Sequence, residues 1–75
     1  MLHPIIEEVW TAGREPRPLR LARIRDARDG RQAAYQRAKE LAAGFDESDF
    51  VHGESYSYAW GRNRNSVETY RFIVR

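Results

Sequence analysis

Glu54-Ser55-Tyr56-Ser57-Tyr58-Ala59-Trp60-Gly61-Arg62-Asn63-Arg64-Asn65-Ser66-Val67-Glu68-Thr69-Tyr70-Arg71-Phe72-Ile73-Val74 is the stretch whose reading decides the fold. Three large rings alternate with small residues at period two, a Gly/Asn-rich segment follows, and a second β-rich run completes it, which predicts a β-hairpin over residues 54–74. Five of the nine aromatic residues lie in this stretch, so the hairpin either builds the core or presents a binding surface.

Loop parity separates the two uses. An odd loop such as Asn63-Arg64-Asn65, with Asn65 in the left-handed region, would set Tyr58 opposite Tyr70 and Tyr56 opposite Phe72, gathering all the rings on one face. The other face would then carry Ser55, Ser57, Ala59, Thr69, Arg71 and Ile73, as a solvated sheet face does. An even loop would move Tyr56, Tyr58 and Trp60 to the side away from Tyr70 and Phe72, leaving one face wet and aromatic. The odd loop, which makes the rings structural, is the expectation here.

The preceding segment supports that choice. Ala34, Ala38, Leu41, Ala42 and Phe45 recur at helical spacing with Tyr35 beside them, so a helix is expected over about 30–43. Asp29 is a good N-cap with Gln32 three residues on, and Gly44 stands where a left-handed cap would end the helix. A face made mostly of alanine approaches its partner closely and leaves the partner to supply bulk, which the hairpin rings would do. The acidic run Asp46, Glu47 and Asp49 reads as a loop after the helix, since its spacing does not match a calcium-binding loop.

Further toward the N-terminus, Ile5 to Thr11 reads as a strand whose Ile5, Glu7, Val9 face is the more apolar. Ala12 to Pro18 reads as a loop, with Gly13 and two prolines. Leu19 to Arg25 is expected as a strand with a bulge at Ala22, a helix opened by Pro18 being the competing reading. Together these elements give one α+β domain spanning residues 1–75, in the order β-β-α-β-β, with the helix packed on an antiparallel sheet.

Composition limits function. A 75-residue chain has room for one core, and a domain this small buries only about 60% of its unfolded surface. The absence of cysteine leaves no disulfide or zinc-thiolate reinforcement. There is no signal-peptide pattern and no apolar run long enough to span a membrane, so a soluble, cytoplasmic domain without membrane attachment or small-molecule cofactor is expected. The net charge of +2 conceals segregation: Arg14 to Lys39 holds nine basic and three acidic residues, whereas Glu40 to Glu54 holds five acidic and no basic ones.

Twelve of the thirteen basic residues are Arg, the side chain suited to phosphate and carboxylate recognition. The leading functional expectation is a non-enzymatic module that binds an acidic partner, nucleic acid first among them. Its contact set would be the hairpin tip Arg62, Asn63, Arg64 and Asn65, with Arg71 and the basic strand residues Arg20, Arg23 and Arg25. Base stacking on the hairpin rings would supply affinity only if those rings were exposed. A protein-interaction or homodimer module built from the segregated charges is the alternative. A small metal-independent ribonuclease using His52, Glu54 and Arg62 is the third class. No metal motif, phosphate loop or nucleophile elbow is present.

Overall fold

The computed structural model describes residues 1–11 and 19–75, with the side chains of residues 19–21 outside the description. The expected loop over Ala12–Pro18 therefore lies outside the described residues. Strands β1 (Leu2–Thr11) and β2 (Leu19–Asp29) precede helix α1 (Arg31–Ala42), and β3 (Glu47–His52), β4 (Ser57–Arg62) and β5 (Glu68–Val74) follow it. All neighbours are antiparallel in one sheet of order β2-β1-β5-β4-β3. The α+β class and the single helix on an antiparallel sheet are as expected. One strand more than expected forms: the acidic run after the helix, expected as a loop, is edge strand β3.

Residues 19–25 are strand, but the bulge lies elsewhere. Ala22 pairs in register with Glu8, and the register shifts between Ile5 and Ile6, opposite Asp26 and Ile24, so that Arg25 is the extra residue. Pro4 is tolerated in β1 because β5 pairing begins only at Ile5, where a second ladder first needs the amide.

The helix forms where the alanine spacing places it, and Ala34, Ala38 and Ala42 are buried. Its ends differ from expectation. Gly30 is the N-cap residue, at φ 90°, while the Asp29 carboxylate instead accepts from Met1 N at 2.7 Å. Gly44 does not take a left-handed conformation; among the described glycines only Gly30 has positive φ. Arg37 Nε donates to Asp26 at 2.8 Å and ties α1 to β2. That bond, the Ala27 amide at 2.8 Å and the nearby Arg28 hold the Asp26 carboxyl below its ordinary value of 3.8, and the same bond raises Arg37.

The hairpin register overturns the odd-loop expectation. Trp60 pairs with Arg71, Tyr58 with Ile73 and Ala59 with Phe72, so eight residues separate the paired Gly61 and Tyr70. Asn65 does adopt the left-handed region, at φ 63°, and Ser66 N donates to Asn63 O at 3.2 Å within the turn. The helix-facing side of β4 consequently carries Ser57, Ala59 and Gly61, all buried. Two surfaces of small residues meet, the alanines of α1 and these three, which allows close approach. Bulk comes from Ile5, Phe72 and Val74 in the neighbouring strands, with Phe45, Tyr70, Phe50, Tyr35 and Leu41 around them. The β1 face predicted to be apolar is the one that packs here, and its Glu7 is buried, 8% exposed, against Arg23 at 3.0 Å.

Candidate nucleic-acid interface

Among the described residues one helix covers one side of the sheet and no element covers the other, the open face, to which the pleat delivers alternate residues. One row across this open face reads Asp49, Trp60, Arg71, Glu8 and Ala22. The row on one side of it reads Val51, Tyr58, Ile73, Ile6 and Ile24, and on the other side Thr69 pairs with Trp10. Trp10, Tyr58 and Trp60, with Tyr56 just before β4, thus make an aromatic surface. Tyr56 is 46% exposed, and its ring stacks on that of Tyr58 at 6.0 Å.

Arg71 stands at the centre. Its guanidinium carbon lies 5.1 Å from the ring centroid of Trp10 on one diagonal and 5.1 Å from that of Tyr58 on the other. Such contacts contribute about 0.5–1 kcal/mol each at exposed sites and favour a guanidinium placed between the rings. The other strand arginines with described side chains have carboxylate partners: Arg23 and Arg25 meet Glu7 at 3.0 and 3.6 Å, Arg28 meets Asp26 at 3.2 Å, and Arg62 meets Glu47 at 3.0 Å. Among the described residues Arg71 meets none and is positioned by rings instead.

Two shallow hollows flank this arginine. The first, about 280 Å³, is lined by Tyr58, Trp60, Arg62, Thr69 and Arg71. The second, about 320 Å³, is lined by Glu8, Trp10, Tyr56, Arg71, Ile73 and Arg75. Each combines ring surface with arginine side chains, a chemistry suited to a flat aromatic group with an anion beside it.

The expected contact residues divide. Arg62 and Arg71 sit on the open face beside the rings. Asn63, Arg64 and Asn65 shape the turn: Asn63 Oδ1 accepts from Asp46 N at 3.2 Å, Arg64 N donates to Asp46 at 2.8 Å, and Asn65 supplies the positive φ. The Arg64 side chain is exposed. Arg23 and Arg25 lie on the helix side, where Glu7 offsets their charge. Arg20 pairs with Trp10 through the backbone, and its side chain lies outside the description.

A hollow of about 380 Å³ on the helix side, bordered by Glu7, Arg23, Arg25, Phe45 and Tyr70, is the competing site. Its charges are already matched, and the Tyr70 hydroxyl donates to Glu68 at 3.1 Å, which raises the tyrosine above its ordinary 10.0. The ribonuclease set does not assemble. His52 and Ser57 share a hydrogen bond of 3.0 Å at one end of the β3/β4 ladder, whereas Arg62 pairs with Glu47 at the other, roughly 16 Å along the strand. Glu54 is exposed and lies outside the strands.

Sequence reading named Arg62 and Arg71 but missed Trp10 and assigned Tyr58 and Trp60 to the core. A signal was present: Trp10 is out of phase with Ile5 and Val9, and the residues between the hairpin rings are all small enough to lie under a helix. No helix among the described residues is long and apolar enough to cross a membrane. No family model matches the chain, and neither a curated protein nor a solved structure matches it.

Proposed function

We propose that the open face binds single-stranded nucleic acid. The observation that carries this reading is Arg71, a strand arginine held between Trp10 and Tyr58 that meets no carboxylate among the described residues and whose guanidinium edge carries five N–H donors. A phosphate meets that edge, and unstacked bases lie against the aromatic walls of the two hollows, the combination by which sheet surfaces hold single strands. A duplex keeps its base faces stacked and offers such a surface only phosphate. Arg75 extends the cationic track beyond Arg71, Arg62 borders it while paired with Glu47, and Asp49 beside Trp60 directs the strand away from the β3 edge.

The test is titration of a short oligonucleotide while tryptophan fluorescence is followed, since Trp10 and Trp60 both stand at the site. Quenching with an affinity that falls as salt rises is expected, and Arg71→Ala should weaken binding at least tenfold and reduce the salt slope by about one. Arg23→Ala, on the other side of the sheet, should leave it unchanged. No quenching at low salt would remove the proposal.

A second reading, an interface with another protein or a second copy of this chain, is favoured by Ile24 and Val51 on the same face, 71% and 39% exposed. It predicts a mass that rises with concentration in sedimentation. A monomer at every concentration excludes self-association.

A further inference from the structure

The row that crosses the open face changes charge along its length. Asp49 on β3 pairs with Trp60 on β4, and Trp60 pairs with Arg71 on β5, so a carboxylate and a guanidinium are carried one strand spacing, roughly 5 Å, to either side of the indole-bearing strand. Trp60 is half-buried, and among the described residues its ring meets no other ring and no cation. Of the open-face carboxylates on β3, Glu47 is engaged by Arg62 at 3.0 Å, whereas Asp49 forms no ion pair among the described residues. One Asp49 oxygen accepts from the Phe50 amide at 2.8 Å, which occupies one of the roughly four lone-pair positions of the carboxylate.

Resting on the single-strand reading above, we infer that Trp60 and Asp49 form a guanine-selective subsite. Arg71 attracts phosphate and Asp49 repels it, so a nucleotide stacked on Trp60 keeps its backbone over β5 and turns the far edge of its base toward β3. An ionised carboxylate only accepts hydrogen bonds. Guanine presents two adjacent donors on its Watson–Crick edge, the N1 imino and N2 amino groups, which match the two carboxylate oxygens. Adenine and cytosine offer one amino donor beside a ring-nitrogen acceptor, and thymine and uracil an imino N–H between two carbonyl oxygens, so each of these sets a lone pair against the carboxylate. Trp60 stacks every base, so the discrimination comes from Asp49.

The probes are short oligothymidines of equal length carrying one central guanine, hypoxanthine or adenine, titrated at neutral pH against the wild-type chain, Asp49→Asn and Arg71→Ala. Wild type should favour guanine over adenine by about five- to a hundredfold, the range of one bidentate base contact. Hypoxanthine, which keeps the N1 imino group and lacks the amino group, should fall between them. Asp49→Asn keeps an oxygen for the Phe50 amide but presents one donor and one acceptor, so it should bring guanine and adenine within about twofold of each other or reverse their order. Equal wild-type affinities for the three oligomers would overturn the selectivity while leaving the open-face reading standing, provided Arg71→Ala weakens all of them. A guanine preference that survives in folded Asp49→Asn would also overturn it, assigning the discrimination to another group. Failure of all three oligomers to bind wild type would remove the open-face reading itself.

Discussion

Phe45 lies directly on the backbone of Gly61: a methyl group at Gly61 would stand 2.9 Å from Phe45 Cβ and 2.7 Å from Cγ. The contact joins the end of the helix segment to β4 and fixes which side of the hairpin faces inward. The conflict runs from the ring carbon Cδ2 back to Cβ at the root of the Phe45 side chain, so rotation alone does not relieve it. Gly61→Ala should therefore cost about 1–3 kcal/mol, read as a lowered urea midpoint with unchanged slope. A midpoint equal to wild type would show that Phe45 does not hold this position.

Tyr58 and Phe72 belong to opposite faces, and their truncations should separate cleanly. Phe72 is buried among the helix alanines, so Phe72→Ala should destabilise by about 3–5 kcal/mol. Tyr58 is half-buried on the open face, and Tyr58→Ala should cost about half of that or less. Equal losses in chemical denaturation would return the hairpin rings to the core.

Acid should expose the bond between α1 and β2. Because Arg37 and the Ala27 amide lower the folded pKa of Asp26, the carboxylate stabilises the fold above the ordinary value of 3.8. That contribution is lost as pH falls through the lowered value. In Asp26→Asn the melting temperature should already be reduced at neutral pH and should fall less steeply than wild type between about pH 5 and pH 2. Parallel wild-type and variant curves would contradict the assignment.

Both edge strands use an aspartate to occupy a backbone amide. Phe50 N donates to Asp49 on β3 and Ala27 N to Asp26 on β2, each at 2.8 Å. Exposed edges invite pairing with other chains, and charge together with amide occupancy discourages it. Asp49→Val frees the Phe50 amide and creates the run Val-Phe-Val in the edge strand, so light scattering on warming should rise earlier than in wild type. Scattering unchanged from wild type would mean that another feature guards this edge.

The elements that follow from local pattern were legible in the sequence: the alanine stripe of α1, the apolar face of β1, the strand at Leu19 and the existence of the hairpin. The register was not, because both parities give a plausible face. The deciding contact, Phe45 on Gly61, joins segments that only the folded chain brings together. β3 was misread because an edge strand pairs on one side only and the acidic run finds its partners only on folding, Glu47 in Arg62 and Asp46, just before the strand, in the Arg64 amide. Arg62 and Arg71 were legible as candidates from residue type. Trp10 was not, since its place beside Arg71 depends on β1 pairing with β5, across nearly the whole length of the chain.

The strand order carries a consequence for how the molecule assembles. β5, the last of the described strands, sits in the middle of the sheet between β1 and β4. Without it the remaining strands are two separate hairpins, β1 with β2 and β3 with β4, each too small to persist alone in water. Closure therefore waits for the most distant pairing in the chain, and such non-local topologies fold slowly. Arg71 arrives with that final strand, meeting Trp10 from one hairpin and Tyr58 from the other. The candidate site comes into being in the same event that completes the fold, so no half-assembled chain can display it.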